Sequence, residues 1–171
     1  MKKLFISLMI LIGGLGMANA KSLVAYFSVS GNTKSVAEKI AKETGSDLYE
    51  IKAKVPYTDA DTNWHDRKSR TTIEMQSSTI KPELAEKDVN VSDYDTIYLG
   101  YPIWWGEAPH ILWSFLESYD FEGKTIIPFC TSSSSPRGRS DVNIHKFAPK
   151  ANWQNGKRFS ERASENDVRN W

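Results

Sequence analysis

Hydrophobic positions along the chain fall into short blocks, and the spacing inside each block predicts its conformation. Ser22-Leu-Val-Ala-Tyr-Phe27 is a continuous apolar run with polar flanks, the pattern of a strand buried on both faces of a parallel sheet. Val36, Ala37, Ile40 and Ala41 then recur at helical spacing, and Gly45 is placed to stop that helix. Between Asp47 and Lys54, Tyr49, Ile51 and Ala53 alternate with charged residues, which reads as a half-exposed edge strand. From about Val55 to Val91 the chain is polar; Trp64, Ile73, Met75 and Ile80 are too sparse for a central element, so a peripheral helix over Asp61–Met75 is expected. Thr96–Leu99 predicts a second buried strand, and Ile111, Leu112, Phe115, Leu116 and Tyr119 form a helical stripe. After the turn signal Asp120-Phe-Glu-Gly123, Thr125–Cys130 reads as another strand, although Pro128 removes an amide and counts against a fully paired central position. A helix is expected from Asp141 to about Phe147, a last strand at Ala151–Trp153 or Lys157–Phe159, and a short closing helix opened by Ser164-x-x-Asp167. Strand and helix in alternation imply an α/β fold, with one parallel sheet covered by helices on both faces.

The first twenty residues stand apart from this pattern. Lys2 and Lys3 precede an apolar run from Leu4 to about Leu15, and Ala18-Asn19-Ala20 offers a small-x-small cleavage site, so residues 1–20 read as a signal peptide cut after Ala20. An uncleaved anchor is the competing reading, but the run is shorter than the roughly 20 apolar residues that span a bilayer. No Cys follows the cut to carry a lipid, and Lys-Lys replaces a twin arginine, so export as an unfolded chain to the periplasm or exterior is expected. Cleavage would leave 151 of the 171 residues, with 20 basic groups against 21 acidic ones and a charge of −1.

Composition narrows the function classes. Six Trp, seven Tyr and seven Phe argue against disorder and for one core of ordinary size. A single Cys130 can form neither an internal disulfide nor a dithiol redox pair, and no spacing of His and carboxylates suggests a metal site. Near-neutral charge gives no electrostatic footprint for nucleic acid.

Three segments carry candidate chemistry. Ser28-Val-Ser-Gly-Asn-Thr33 sits between the first strand and the first helix, where hydroxyls, backbone amides and one Gly can cradle a phosphate. It lacks both the GxGxxG spacing and the GK[ST] ending of nucleotide loops, and a plain capped helix start is equally compatible with it. Gly100-Tyr-Pro-Ile-Trp-Trp-Gly-Glu-Ala-Pro109 follows the second buried strand; Trp104 and Trp105 there either form an aromatic ligand platform or cover the end of the sheet. Thr131-Ser-Ser-Ser-Ser-Pro-Arg-Gly138 leaves the next strand on the same edge, the edge at which open α/β sheets bind ligands.

Taken together these residues resemble the flavodoxin family, in particular a secreted or unassigned bacterial branch. Ser28-x-Ser-Gly-Asn-Thr33 is similar to the family's phosphate loop, Tyr101-Pro-Ile-Trp-Trp-Gly106 to its isoalloxazine loop, and Thr131 onward to its second flavin loop. The likeness runs from about Leu23 to Trp171. It implies a doubly wound five-stranded parallel sheet of order 2-1-3-4-5 binding noncovalent flavin mononucleotide (FMN). Ser28, Ser30, Asn32, Thr33 and the Gly31 amide would hold the phosphate. Pro102, Ile103, Trp104, Trp105 and Gly106 would border the ring, with a carbonyl at or near Gly106 meeting its protonated nitrogen, and Thr131, Ser132 and Ser133 would close the other side. Two departures stand out: a Ser-rich third loop where the branch often has glycines, and a near-neutral body where electron-shuttling flavodoxins are strongly acidic.

Other residues have simpler readings. Cys130 reads as a buried strand cysteine rather than a redox thiol, Arg137 as a loop cation or an anion contact, and His110 as a surface histidine or a proton donor beside the ring. Tyr57 and Trp64 belong either to a flap or to ordinary packing of the polar segment, and His65 and His145 have no assigned role. The resemblance implies electron transfer with a redox partner protein or membrane donor. The alternatives are an FMN-dependent reductase of quinones or nitroaromatics and a flavin-binding module without turnover.

Overall fold

Alternate residues of each central strand point to opposite sides of one parallel sheet, and this alternation organises the chain. The computed structural model describes residues 20–171, so the signal peptide and cleavage site expected over residues 1–20 lie outside the described residues apart from Ala20. In β1 (Ser22–Tyr26), Leu23, Ala25 and the following Phe27 face one core while Val24 and Tyr26 face the other. Helix α1 (Asn32–Thr44) lays Val36, Ala37 and Ile40 on the second face and ends at Gly45, whose φ of 68° turns the next amide, that of Ser46, back to the Ala41 carbonyl. Strand β2 (Asp47–Glu50), helix α2 (Arg70–Gln76), strand β3 (Thr96–Pro102), helix α3 (Ile111–Ser118) and strand β4 (Thr125–Thr131) follow. Helix α4 (Ser140–Ile144) runs into a 3₁₀ turn over His145–Phe147, and strands β5 (Asn152–Trp153) and β6 (Lys157–Phe159) precede α5 (Glu165–Arg169). All pairings between these strands are parallel and the order is β2-β1-β3-β4-β5, with β6 also on β4, so the structure has the expected doubly wound architecture.

The fifth position resolves two sequence expectations at once. Both proposed last strands form, each against half of β4: Asn152–Trp153 beside Thr125–Ile126, and Lys157–Phe159 beside Phe129–Thr131. Lys124 and Ile126 accept from the amides of Asn152 and Gln154, and Ser132 donates to Phe159, so the even-numbered residues of β4 turn their polar groups to this side. Pro128 is one of them. Its missing amide therefore faces the gap between β5 and β6, and β4 is a central strand after all, paired with β3 along its whole length. Gly156 fits the gap closely, since a Cβ there would lie 3.0 Å from both the Pro128 carbonyl oxygen and Asp141 Oδ2.

Three other elements differ from expectation. Strand β3 continues to Pro102, so Tyr101 is a buried strand residue and the aromatic loop starts at Ile103. Helix α2 begins at Arg70 rather than Asp61, because side chains in the preceding stretch bind their own backbone: Asn63 accepts from the His65 amide, Asp66 from Lys68, and Asp61 from Thr58. Ser69 then caps α2 by accepting from the Thr72 amide. The buried face of α2 is polar (Thr71, Thr72, Glu74), while Trp64 and Ile73, which suggested the longer helix, are 68% and 49% exposed. The edge-strand pattern over Asp47–Lys54 is regular only to Glu50; Ile51 and Ala53 still turn inward, and Ala53 bridges antiparallel to Leu84. Among the described residues no helix is long and apolar enough to cross a membrane.

Candidate functional site

The carboxyl ends of β1, β3 and β4 bring the three loops to one edge of the sheet. After β1, the Phe27 amide still donates to Gly100 on β3, at 2.9 Å, before the chain turns through Ser28, Val29 and Ser30. Gly31 has φ 85°, a conformation open to glycine at little cost, and its carbonyl accepts the Ser35 amide as α1 begins. No side chain caps α1, which leaves its first-turn amides available. Ser30 and Gly31 are exposed, Asn32 is half-buried, and the buried Ser28 Oγ has no hydrogen-bond partner among the described residues. An unpartnered buried hydroxyl in the loop that leads into uncapped helix amides suits a ligand rich in acceptors, such as a phosphate.

Thr33, 1% exposed, ties this loop to the third. Its Oγ1 lies 2.8 Å from Thr131 Oγ1 at the end of β4. The second loop is tied there as well, by the Ile103 amide donating to the Thr131 carbonyl at 3.0 Å. Thr131 thus joins all three loops.

The aromatic loop is a tight hairpin. Trp104 and Glu107 exchange both backbone hydrogen bonds, at 2.9 and 3.0 Å, and the two residues at the tip have positive φ, 50° for Trp105 and 80° for Gly106. This is a type I′ turn, in which Trp is out of place. Trp105 is the one non-glycine residue with positive φ among the described residues, and it is 42% exposed. The two tryptophans therefore take different parts. Trp104 packs inward, edge-on to Phe27 and Tyr57 at 5.5 and 5.3 Å between ring centres, while Trp105 stands at the open tip. Pro102 and Ile103, both half-buried, lead into the hairpin from β3.

Tyr57 anchors the polar segment to this edge. Its hydroxyl donates to Glu74 Oε2 at 2.7 Å, Arg70 lies 3.8 Å above its ring, and Arg70 also pairs with Glu74. Burial first, and the Glu74 contact second, raise the Tyr57 hydroxyl well above the ordinary tyrosine range. The structure gives Tyr57 the packing role, whereas Trp64 is solvent-exposed and stacks only on His65.

The third loop is held from beneath. Ser132 is buried, its Oγ donates to the Ser135 carbonyl, and Ser133 is exposed. Arg158 on β6 donates through one terminal nitrogen to the carbonyls of Ser132 and Ser133, at 2.9 and 3.2 Å. Arg137 pairs with the buried Asp141 on α4, so it is a structural cation. Neither contact has a signal in the sequence, because Arg158 and Asp141 approach the loop only once β6 and α4 are in place. A Cβ built at Gly138 would be 3.9 Å from the Gly106 carbonyl, which brings the second and third loops side by side.

The remaining candidates fall outside this edge. Cys130 is fully buried, and burial pushes its thiol up to about 12, so it is inert packing. His110 is buried behind the hairpin, with Nδ1 2.8 Å from the Ile80 carbonyl and its ring stacked on Trp113; burial lowers its basicity. It borders a separate cavity of about 460 Å³ between Met75, Trp113 and Asn143. Among the described residues no group of His, Cys, Asp and Glu could hold a metal ion.

Comparison with known proteins agrees with this architecture. The family model for flavodoxin matches residues 21–171. A candidate flavoprotein from Bacteroides uniformis has 43% identity over 89% of this chain and 97% of its own, with a TM-score of 0.85. Another from Bacteroides eggerthii has 41% identity over 90% and 96%, with a TM-score of 0.84. A flavoprotein from Lactobacillus acidophilus, solved in complex with FMN, has 25% identity over 89% and 98%, with a TM-score of 0.65. No curated protein sequence matches the chain. With the family model covering residues 21–171 and the sheet in the order 2-1-3-4-5, the chain belongs to the flavodoxin family.

Proposed function

We propose that the protein binds FMN noncovalently at the three-loop edge and transfers electrons through it. The observation that carries this reading is the buried, unpartnered Ser28 hydroxyl in the loop leading into the uncapped start of α1, a loop that Thr33 and Thr131 lock to the ring-facing loops. The FMN complex of the Lactobacillus acidophilus relative supports the choice of flavin. Ser28, Ser30, Asn32, Thr33 and the Gly31 amide would hold the phosphate; a helix start supplies such a dianion with donors without needing lysines. Pro102 to Gly106 would form one wall of the ring site, with Trp105 as its exposed aromatic face and the Gly106 peptide free to reorient. Thr131 to Ser133 would form the other. When bound, the flavin supplies one- and two-electron chemistry, and its reduction adds negative charge to the ring.

Residues 1–20 would direct export and be removed after Ala20, and the electron source would be a redox protein or a membrane donor in the periplasm or exterior. A second reading, turnover of a small quinone or nitroaromatic, draws support from the exposed Trp105 and from the cavity behind the hairpin, which is large enough for a single aromatic ring system.

The test is a titration of the chain lacking residues 1–20 with FMN and with riboflavin, followed by flavin fluorescence and visible absorbance. Quenching with tighter binding of FMN than of riboflavin is expected, and Thr33→Val should narrow that difference. Absence of any quenching by FMN sinks the proposal. Saturable reoxidation of the reduced protein by quinones would move the function to the reductase reading.

A further inference from the structure

The third loop has an unusual backbone feature that the contacts of Arg158 reveal. In a regular strand successive carbonyls point to alternate sides, yet those of Ser132 and Ser133 both point at Arg158 on β6. Among the described residues no peptide is cis, and in a planar trans peptide the next N–H points opposite to the carbonyl. The amides of Ser133 and Ser134 therefore both point away from β6. On that side of β4 lies β3 with its aromatic hairpin, joined to Thr131 through the Ile103 amide. Among the described residues neither amide donates to a protein acceptor. Two consecutive N–H groups on one side of a loop make a concave donor pair for an anion or a carbonyl-rich edge.

Arg158 is the group that imposes this arrangement. Its charge strengthens both bonds relative to a neutral donor, and it approaches from beneath, where β6 fixes its position opposite Cys130. A Ser-rich loop has less intrinsic freedom than a glycine-rich one to turn two peptides the same way. An external clamp does that instead.

We propose that Arg158 is a positioning residue for the flavin: by holding the Ser132 and Ser133 carbonyls, it turns the Ser133 and Ser134 amides into the gap between the second and third loops, where they receive the acceptor-bearing edge of the ring. This rests on the FMN reading above. The amides bind more strongly as negative charge collects on the ring, so the clamp also favours the reduced form.

Arg158→Met removes the clamp without adding a polar group. Affinity for FMN and for riboflavin should fall by the same factor, about tenfold, since the ring is common to both. The midpoint potential of the bound flavin should become more negative, while Thr33→Val should weaken FMN more than riboflavin. In the wild-type chain lacking residues 1–20, amide resonances of Ser133 and Ser134 should move on FMN addition and move further on reduction. If wild-type protein binds FMN but these resonances stay in place, the inference fails whether or not Arg158→Met folds. It fails equally if a folded Arg158→Met variant keeps wild-type riboflavin affinity and potential. If wild-type protein does not bind FMN, the functional reading itself falls.

Discussion

Trp105 occupies a backbone position that its side chain disfavours. A left-handed conformation costs a non-glycine residue about 1–2 kcal/mol, and at φ 50° with 42% exposure little packing offsets it. Trp105→Gly should therefore raise the urea midpoint of the ligand-free protein while weakening flavin binding, and a loss in both measurements would contradict a strained ligand-facing role. Cys130 makes the opposite kind of prediction. Its buried, poorly acidic thiol should resist alkylation in the native protein and react at once in denaturant. At this scale the convergence of the three loops was legible in the sequence, since Ser28, Thr33, Trp105 and Thr131 lie on loops at one edge of the sheet. It left the two tryptophans undivided, because only the hairpin's positive φ values send Trp104 inward and Trp105 outward. It offered no sign of Arg158 or Asp141, whose contacts with the third loop form only once β6 and α4 are in place.

Among the elements, the central strands were the most legible, since an apolar run flanked by polar residues has few other solutions in a chain of alternating periodicity. The polar segment was the least legible: Ser and Thr replace apolar residues on the buried face of α2, and Asx turns consume the stretch that looked helical. The pairing of β3 with β4 depends on Gly100. A Cβ there would meet the Phe129 ring at 2.2 Å, so the aromatic ring lies across β3 only because that position has no side chain. Gly100→Ala should cost about 1–3 kcal/mol in chemical denaturation. Adding Phe129→Leu, which withdraws the ring, should make the two losses less than additive; strict additivity would show that the ring and Gly100 are not coupled.

For the whole molecule, pH provides a test of how the segment between β2 and β3 is held. Burial lowers His110 and His145 below the ordinary 6.5. A group less basic when folded lets the unfolded chain take up more protons, so stability is present above the unfolded value and drains away as pH falls through the folded one. Melting temperature should drop as pH is lowered from about 6.5, well before the paired carboxylates Asp47, Glu83 and Glu165, all held below their usual range by lysines, become protonated. His110→Gln should flatten the first part of that profile; an unchanged slope would place the effect elsewhere.

The interrupted fifth strand has a further consequence for how copies of the protein meet one another. A long, straight outer strand would offer a row of free donors and acceptors to any neighbouring chain. Here the outer side of β4 is covered by two segments of two and three residues, interrupted over residues 154–156. At the opposite border, the run beyond β2 is already engaged, with Lys54 donating to Glu83 and Ala85 to Lys52. Neither border presents a template of useful length for sheet extension, so the native fold should resist edge-to-edge aggregation even at a net charge near zero, where electrostatic repulsion offers little protection.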